Sequence, residues 1–77
     1  MKTIQRLSEM KVGQTATIRA FHVDIGFKYR LNGLGLRVGK TIEVIRHAPF
    51  TGPFQLRIGS TELMLRKQDA DMIEVLM

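Results

Sequence analysis

Residues 33–41 read GLGLRVGKT, and this stretch decides between two unlike folds. Its last three residues match the end of a nucleotide-binding P-loop, G-x-x-x-x-G-K-[ST]. The first glycine of that motif would fall at position 34, which is leucine. The stretch also follows a helical pattern and precedes a strand, whereas a P-loop follows a strand and begins a helix. The glycines therefore predict left-handed backbone at a corner between a helix and a strand, and the sequence argues against a P-loop nucleotidase.

The residues before this corner have the spacing of a short helix. Phe27, Leu31 and Leu34 recur every three or four positions and form an apolar stripe, so we expect a helix of about two turns. One of the first two glycines of the corner is expected to end the helix with a positive φ, where a side chain would cost roughly 1 kcal/mol. Leu34 and Leu36 are then expected to pack onto the core on either side.

The other segments alternate apolar and polar residues, which is the pattern of half-buried strands. Five short strands are expected, at residues 15–23, 41–47, 54–58, 62–66 and 72–77. The first of them changes its apolar face between Ala20 and Phe21, which fits either a bulge or a strand that bends between two sheets. Closing the strands into a barrel removes most free edges. The predicted fold is mainly β, a small five-stranded barrel with one short helix between strands 1 and 2.

Composition limits the classes of function. The 77 residues suffice for a single small domain, 1–77, and they include no cysteine, which excludes disulfides and thiolate metal sites. The N-terminal residues lack the apolar segment of a signal peptide, and no apolar run is long enough to span a bilayer, so we expect a cytoplasmic protein. The formal net charge is +5, and residues 27–41 contain four cations and no acid. Such a bias fits nucleic acid, an acidic protein, anionic headgroups or simply a solvated face.

The corner belongs to a longer motif, which reads Arg30-Leu31-x-x-Leu34-Gly35-Leu36-x-x-Gly39. This motif resembles the signature of the FeoA family, small cytoplasmic proteins of bacterial ferrous iron transport. A similar SH3-like domain forms the C-terminal part of diphtheria-toxin-repressor-type metal regulators. The resemblance implies an SH3-like barrel and a regulatory role in iron transport. It also implies a partner, the FeoB permease with its GTPase-like cytosolic domain, and contact with the membrane only through that permease.

Two exposed regions are candidate partner-binding sites. Lys28, Tyr29 and Arg30 lie on the predicted helix, where Arg30 has a second, structural interpretation as a tie to a carbonyl or a carboxylate. The loop from Pro49 to Pro53 carries Phe50 between its two prolines. Exposed aromatic side chains often anchor interfaces, although a tip folded back over the barrel fits the sequence nearly as well.

The sequence gives little support for a metal site or for catalysis. Ferrous iron accepts imidazole and carboxylate ligands, so His22, Asp24 and His47 are weak candidates if their strand ends meet. Neither histidine lies in an i, i+4 or H-x-H pattern, and surface or half-buried histidines are the simpler interpretation. No cofactor is firmly predicted beyond a weakly bound transition metal such as Fe²⁺. No catalytic triad is visible, and the carboxylates lie in turns or on outward positions, so we do not expect an enzyme.

Nucleic-acid binding is the alternative function, because small β-barrels bind RNA or DNA with a basic groove and stacking aromatic residues. The basic residues are present, but only Tyr29 and Phe50 are expected to be free, and they lie on different elements. Nucleic acid is therefore not the expected partner. Self-association stays open, because the apolar last strand, residues 72–77, suits either a homo-oligomer or the closure of the barrel.

Overall fold

The computed structural model describes residues 2–77, so Met1, the first residue of the predicted domain, lies outside the described residues. This part of the chain forms six strands, β1 (Ile4–Arg6), β2 (Thr15–Phe21), β3 (Thr41–His47), β4 (Phe54–Ile58), β5 (Thr61–Leu65) and β6 (Ile73–Leu76). Its helices are α1 (Ile25–Gly33) and α2 (Lys67–Ala70), and Leu7–Glu9 form a 3-10 turn. No helix within residues 2–77 is long and apolar enough to cross a membrane.

The mainly β, SH3-like fold is confirmed, but the strand count and the closure of the sheet are corrected. One antiparallel sheet contains all six strands in the order β1-β6-β2-β3-β4-β5. The additional strand, β1, pairs with β6, with Ile4 opposite Leu76 and Arg6 opposite Glu74. Three residues are too few to show a recognisable alternation. Within residues 2–77 the edge strands β1 and β5 do not pair with each other, so hydrogen bonds do not close the sheet into a barrel.

Alternation along the strands places one face of the sheet in the core. On β4 the side chains of Phe54, Leu56 and Ile58 are buried, while Arg57 between them is exposed. Burying an aliphatic or aromatic side chain contributes about 1.5–3 kcal/mol, so these positions hold β4 in register. Other strands and the corner add more fully buried side chains, among them Ile18, Leu36, Ile42, Val44, Ile73 and Val75.

The bulge expected in the first long strand is confirmed in β2. The pairing of β2 with β6 shifts register between Ile18 and Ala20. Before the shift, Ala16 and Ile18 are buried. After it, Phe21 lies opposite the buried Ile73, so the extra residue of the bulge returns Phe21 to the same core face. β2 ends at Phe21, two residues earlier than expected, because Asp24 already begins α1.

The glycine corner is a Schellman motif at the C-terminus of α1. The N–H of Leu36 donates to the carbonyl of Leu31 at 2.9 Å, and the N–H of Gly35 donates to the carbonyl of Asn32 at 3.0 Å. Gly35 has a φ of +100°, as expected for the residue that ends the helix. Leu31 and Leu36 are buried, but Leu34 is 53% exposed, so its expected packing on the core is wrong. Leu34 occupies the C-cap position, which the motif turns away from the core.

The last strand lies inside the sheet rather than at its edge. β6 pairs with β1 on one side and with β2 on the other, which leaves no free edge for a second copy. Self-association through this strand is therefore ruled out as a route. The segment before β1 meets the end of β6 here, because Thr3 and Met77 exchange backbone hydrogen bonds of 2.8 and 2.9 Å.

Candidate partner-binding surface

Helix α1 is held at its start by an N-cap and along one side by the core. The carboxylate of Asp24 accepts a hydrogen bond from the N–H of Phe27 at 3.2 Å, which satisfies one of the free donors of the first turn. Leu31 is buried and Phe27 is partly buried against the same core. The opposite side of α1 therefore faces solvent.

The solvent-facing side of α1 contains the three predicted contact residues. Lys28, Tyr29 and Arg30 are all exposed, and 68% of Tyr29 is accessible. Arg30 forms no ion pair within residues 2–77, and its guanidinium lies 5.7 Å from the centre of the Phe27 ring. The expected tie from Arg30 to a carboxylate is therefore absent among the described residues, and its charge stays available.

A groove of about 850 Å³ separates α1 from the edge strand β5. Its lining combines apolar side chains with four charged ones. The residues that line it are Asp24, Gly26, Phe27, Arg30, Leu31, Leu34, Leu63, Met64, Leu65, Arg66 and Asp69. The exposed Leu34 is therefore part of the wall of this groove.

The loop between β3 and β4 presents Phe50 to solvent. Its base is closed by a hydrogen bond from the N–H of Ala48 to the carbonyl of Pro53, 3.0 Å, and its tip by one from Gly52 to Pro49, 3.1 Å. Phe50 has a φ of +62°, a left-handed conformation that is uncommon for a bulky residue. Its side chain is 93% exposed, so the tip does not fold back over the sheet.

The loop and α1 each border a cavity, and the two cavities share one residue. A second cavity, about 400 Å³, lies between the loop and α2, and it is lined by Thr51, Pro53, Arg66, Lys67, Gln68 and Asp71. Arg66 lines this cavity and also the groove beside α1. Its Nε donates to the carboxylate of Asp69 at 2.9 Å, which holds it between the two. The two cavities therefore meet at Arg66, directly after the C-terminal end of β5.

The predicted metal candidates do not come together. His22 Nε2 lies 3.1 Å from an oxygen of Glu74, and the carboxylate of Asp24 is occupied with its N-cap hydrogen bond. His47 stacks on Phe54, with ring centres 3.9 Å apart and planes 9° apart. Among residues 2–77 no group of three or more His, Asp or Glu side chains has the arrangement to hold a metal ion.

Most acids are neutralised by neighbours, which leaves an excess of positive charge on α1 and on the corner that follows it, together called the α1 side. Hydrogen bonds from His22 and then Arg19 lower the pKa of the Glu74 carboxyl, and Arg57 and Gln55 lower the pKa of Glu62 in the same way. By contrast, within the described chain no carboxylate lies within ion-pair distance of Lys28, Arg30, Arg37 or Lys40. The α1 side therefore suits an anionic partner.

The sequence did not indicate the groove, the role of Arg66 or the partnership of His22 with Glu74. His22 and Glu74 are 52 positions apart and meet only because β2 and β6 are neighbours. The sequence predicted Arg66 as the last residue of a strand over 62–66, whereas β5 ends at Leu65 and Arg66 follows it. Its position between two cavities depends on how α1 and the β3–β4 loop pack. No local pattern encodes such contacts.

Comparison with known proteins places the chain in a family. The model of the FeoA domain matches residues 5–77. A fusion protein of Fe(2+) transport protein A and the Fe(2+) transporter FeoB from Porphyromonas gingivalis is 39% identical over 70 residues. The match covers 91% of this chain and 8% of the fusion protein, so the chain corresponds to a small part of that relative's length.

Solved structures agree with this assignment. The solution structure of a FeoA protein from Chlorobium tepidum superimposes with a TM-score of 0.86 at 31% identity, covering 92% of this chain and 68% of the other. A manganese-dependent transcriptional repressor has a TM-score of 0.86 over 99% of this chain and 42% of its own, but at 19% identity that likeness concerns the fold alone. The family model and the relatives together show that this chain belongs to the FeoA domain family.

Proposed function

We propose that this chain is a cytoplasmic accessory protein of ferrous iron transport, which regulates a FeoB-type permease by binding its GTPase-like cytosolic domain. The contact surface consists of Lys28, Tyr29 and Arg30 on α1 and of the loop Pro49–Pro53, whose tip is Phe50. The protein acts by recognition and not by catalysis. It reaches the membrane only through the permease.

The observation that carries the proposal is the arrangement of the two regions around Arg66. Each region alone is small, but the groove and the second cavity share this residue, so one partner surface is able to contact both. Phe50 and Tyr29 are exposed aromatic side chains, a type enriched among the residues that dominate binding energy. The uncompensated cations of α1 add long-range attraction to an acidic partner.

The relatives support the choice of partner. In the fusion protein from Porphyromonas gingivalis, the segment similar to this chain is covalently joined to a FeoB transporter. A covalent link keeps two domains at a high effective concentration, which favours even a weak contact between them. Whether or not it is joined to a transporter, a domain with this fold has to provide that contact through its own surface.

The test is a titration of the chain into the purified cytosolic domain of a FeoB-type permease, by calorimetry, in the nucleotide-free, GDP-bound and GTP-analogue-bound states. The wild-type chain is expected to bind in at least one state. Phe50→Ala removes an anchor whose side chain is 93% exposed, so it is expected to weaken binding without loss of stability. The double variant Lys28→Glu/Arg30→Glu is expected to weaken binding most at low salt.

A matched control is Lys2→Glu/Lys11→Glu. This variant makes the same change of net charge at two exposed cations that lie outside α1 and outside the loop. Its affinity for the permease domain is expected to stay within about threefold of that of wild type. Its two changed charges lie outside the proposed contact surface, and a specific electrostatic contact depends on where the charge is placed. Equal losses for the two double variants would show that net charge alone drives association, and no complex in any nucleotide state would refute the proposed function.

A further inference from the structure

The edge strand β5 is an open edge of the sheet. It is the last strand in the sheet order and pairs with β4 alone. The two-residue turn between them makes Ile58 and Thr61 a hydrogen-bonded pair, so alternate residues of β5 bond to β4. Glu62 and Met64 therefore direct their N–H and C=O groups away from the sheet. No loop or helix within residues 2–77 donates to or accepts from these groups through its backbone.

This edge has few of the features that prevent strand addition, since its one charged side chain, Glu62, is already paired with Arg57 of β4. Proteins protect edge strands with lysine or proline, with bulges, or by making them very short. β5 has neither lysine nor proline, and its five residues pair with β4 without a shift of register. The other edge, β1, is only three residues long. The two edges therefore differ, and β5 is the one that is long and regular enough to accept another strand.

The groove beside β5 has the shape and composition to receive the side chains of such a strand. Its volume, about 850 Å³, lies within the range of ligand pockets, ~300–1,000 Å³. Its walls include Phe27, Leu31 and Leu34 on the α1 side and Leu63 and Leu65 on the β5 side. Side chains of an added strand alternate between two faces, so every second one would point toward these apolar walls.

We propose that β5 binds an extended segment of the FeoB-type permease by strand addition. This inference rests on the proposed function. The segment has apolar residues at alternate positions and a carboxylate that reaches Arg30, the cation on the rim of the groove that has no acidic partner within residues 2–77. A second copy of this chain would bring the sequence of β5 itself, whose one acid, Glu62, is already held by Gln55 at 2.8 Å and Arg57 at 3.1 Å. A second copy therefore leaves Arg30 unpaired, whereas a partner segment supplies the missing anion.

The experiment is amide hydrogen exchange by NMR on the full chain, alone and with the cytosolic domain of the permease. Because Glu62 and Met64 point outward, their amides are expected to exchange quickly in the free chain and at least tenfold more slowly in the complex. Leu63 and Leu65 already bond to β4, so their exchange is slow in both and changes less. Only strand addition produces this alternating pattern, since a side-chain contact has no reason to select every second amide.

A pair of variants tests the same point through affinity. Met64→Pro removes an outward N–H and places a ring at the edge, a position where strands tolerate proline. Met64→Ala removes the side chain but keeps the N–H. We expect at least a tenfold loss of affinity for Met64→Pro and less than a threefold loss for Met64→Ala. The amide spectrum of each variant reports whether the sheet is intact, and the exchange pattern of the wild-type chain decides the matter if Met64→Pro is unfolded.

The outcomes separate this inference from the function on which it rests. A complex in which Glu62 and Met64 exchange as fast as in the free chain, or to which folded Met64→Pro binds normally, overturns strand addition alone. Protection of both amides that rises with the chain's own concentration, without permease, identifies a second copy as the occupant and overturns the choice of partner. Absence of any complex removes the proposed function and this inference together.

Discussion

Replacing Phe50 by glycine separates the folding role of this position from its binding role. Phe50 has a φ of +62° and a side chain that is 93% exposed. The left-handed conformation costs a non-glycine residue roughly 1–2 kcal/mol, and glycine removes that cost. Glycine in turn loses more backbone entropy on folding, about 0.5–1 kcal/mol. The net expectation for Phe50→Gly is a gain in the free energy of unfolding of about 0.5–1 kcal/mol.

The assay is thermal unfolding followed by circular dichroism, together with binding to the permease domain. For a chain of this size 1 kcal/mol shifts the melting temperature by about 4–8 °C, so Phe50→Gly is expected to melt about 2–8 °C higher than wild type. Phe50→Ala retains a Cβ and hence most of the strain, so its melting temperature is expected to stay within about 2 °C of wild type. Both variants are expected to bind the partner more weakly, because both lack the aromatic ring.

The combination of a more stable chain and a weaker complex is the signature of a residue retained for recognition. A lower melting temperature for Phe50→Gly would mean that the ring packs in the folded state, contrary to its exposure. Unchanged affinity in both variants would mean that the tip is not an anchor. Either result would refute the reasoning that assigns the strained loop to partner binding.

Three further predictions concern the corner and the sheet. Gly35→Ala is expected to lower the free energy of unfolding by about 1 kcal/mol through backbone strain alone, since no atom lies within 4 Å of the added Cβ. An unchanged urea midpoint would contradict the left-handed conformation of Gly35. Leu36→Ala is expected to lower the free energy of unfolding by about 2–5 kcal/mol because Leu36 is buried, whereas the exposed Leu34 is expected to tolerate alanine with a change within about 0.5 kcal/mol. Similar melting temperatures for the two variants would be evidence against their different burial. Because the pKa of Glu74 is lowered from 4.5, chiefly by its hydrogen bond with His22, its contribution to stability is complete above pH 4.5 and is lost as the pH falls through the lowered pKa. Glu74→Gln is therefore expected to lose less stability than wild type as the pH falls below 4.5, as measured by urea titrations at several pH values. Equal losses in the variant and in wild type would exclude this role.

Strong alternation made most of the sheet predictable. The pattern of Phe54, Leu56 and Ile58 identified β4 with its correct limits, and the change of face in β2 identified its bulge. The glycine spacing identified the corner after α1. β1 was missed because three residues do not establish a period and because its pairing depends on β6, about 70 positions away. Short strands are fixed by their neighbours, which a sequence pattern does not reveal.

The candidate surface was predictable only in its parts. Local spacing placed Lys28, Tyr29 and Arg30 on the exposed side of a helix, and two prolines marked the loop that carries Phe50. Leu34 was assigned to the core because it follows the helical period, but the turn that ends the helix redirects it. The groove and the shared position of Arg66 arise from the packing of elements distant in sequence, so only the structure contains them.

The backbone contact between Thr3 and Met77 has a practical consequence for how this domain is joined to others. Thr3 and Met77 lie one strand spacing apart beside β1 and β6, so segments joined before Thr3 and after Met77 leave the domain from nearly the same place. The same proximity makes the domain suited to circular permutation, with a short bridge between residues 3 and 77 and new ends opened elsewhere on the surface.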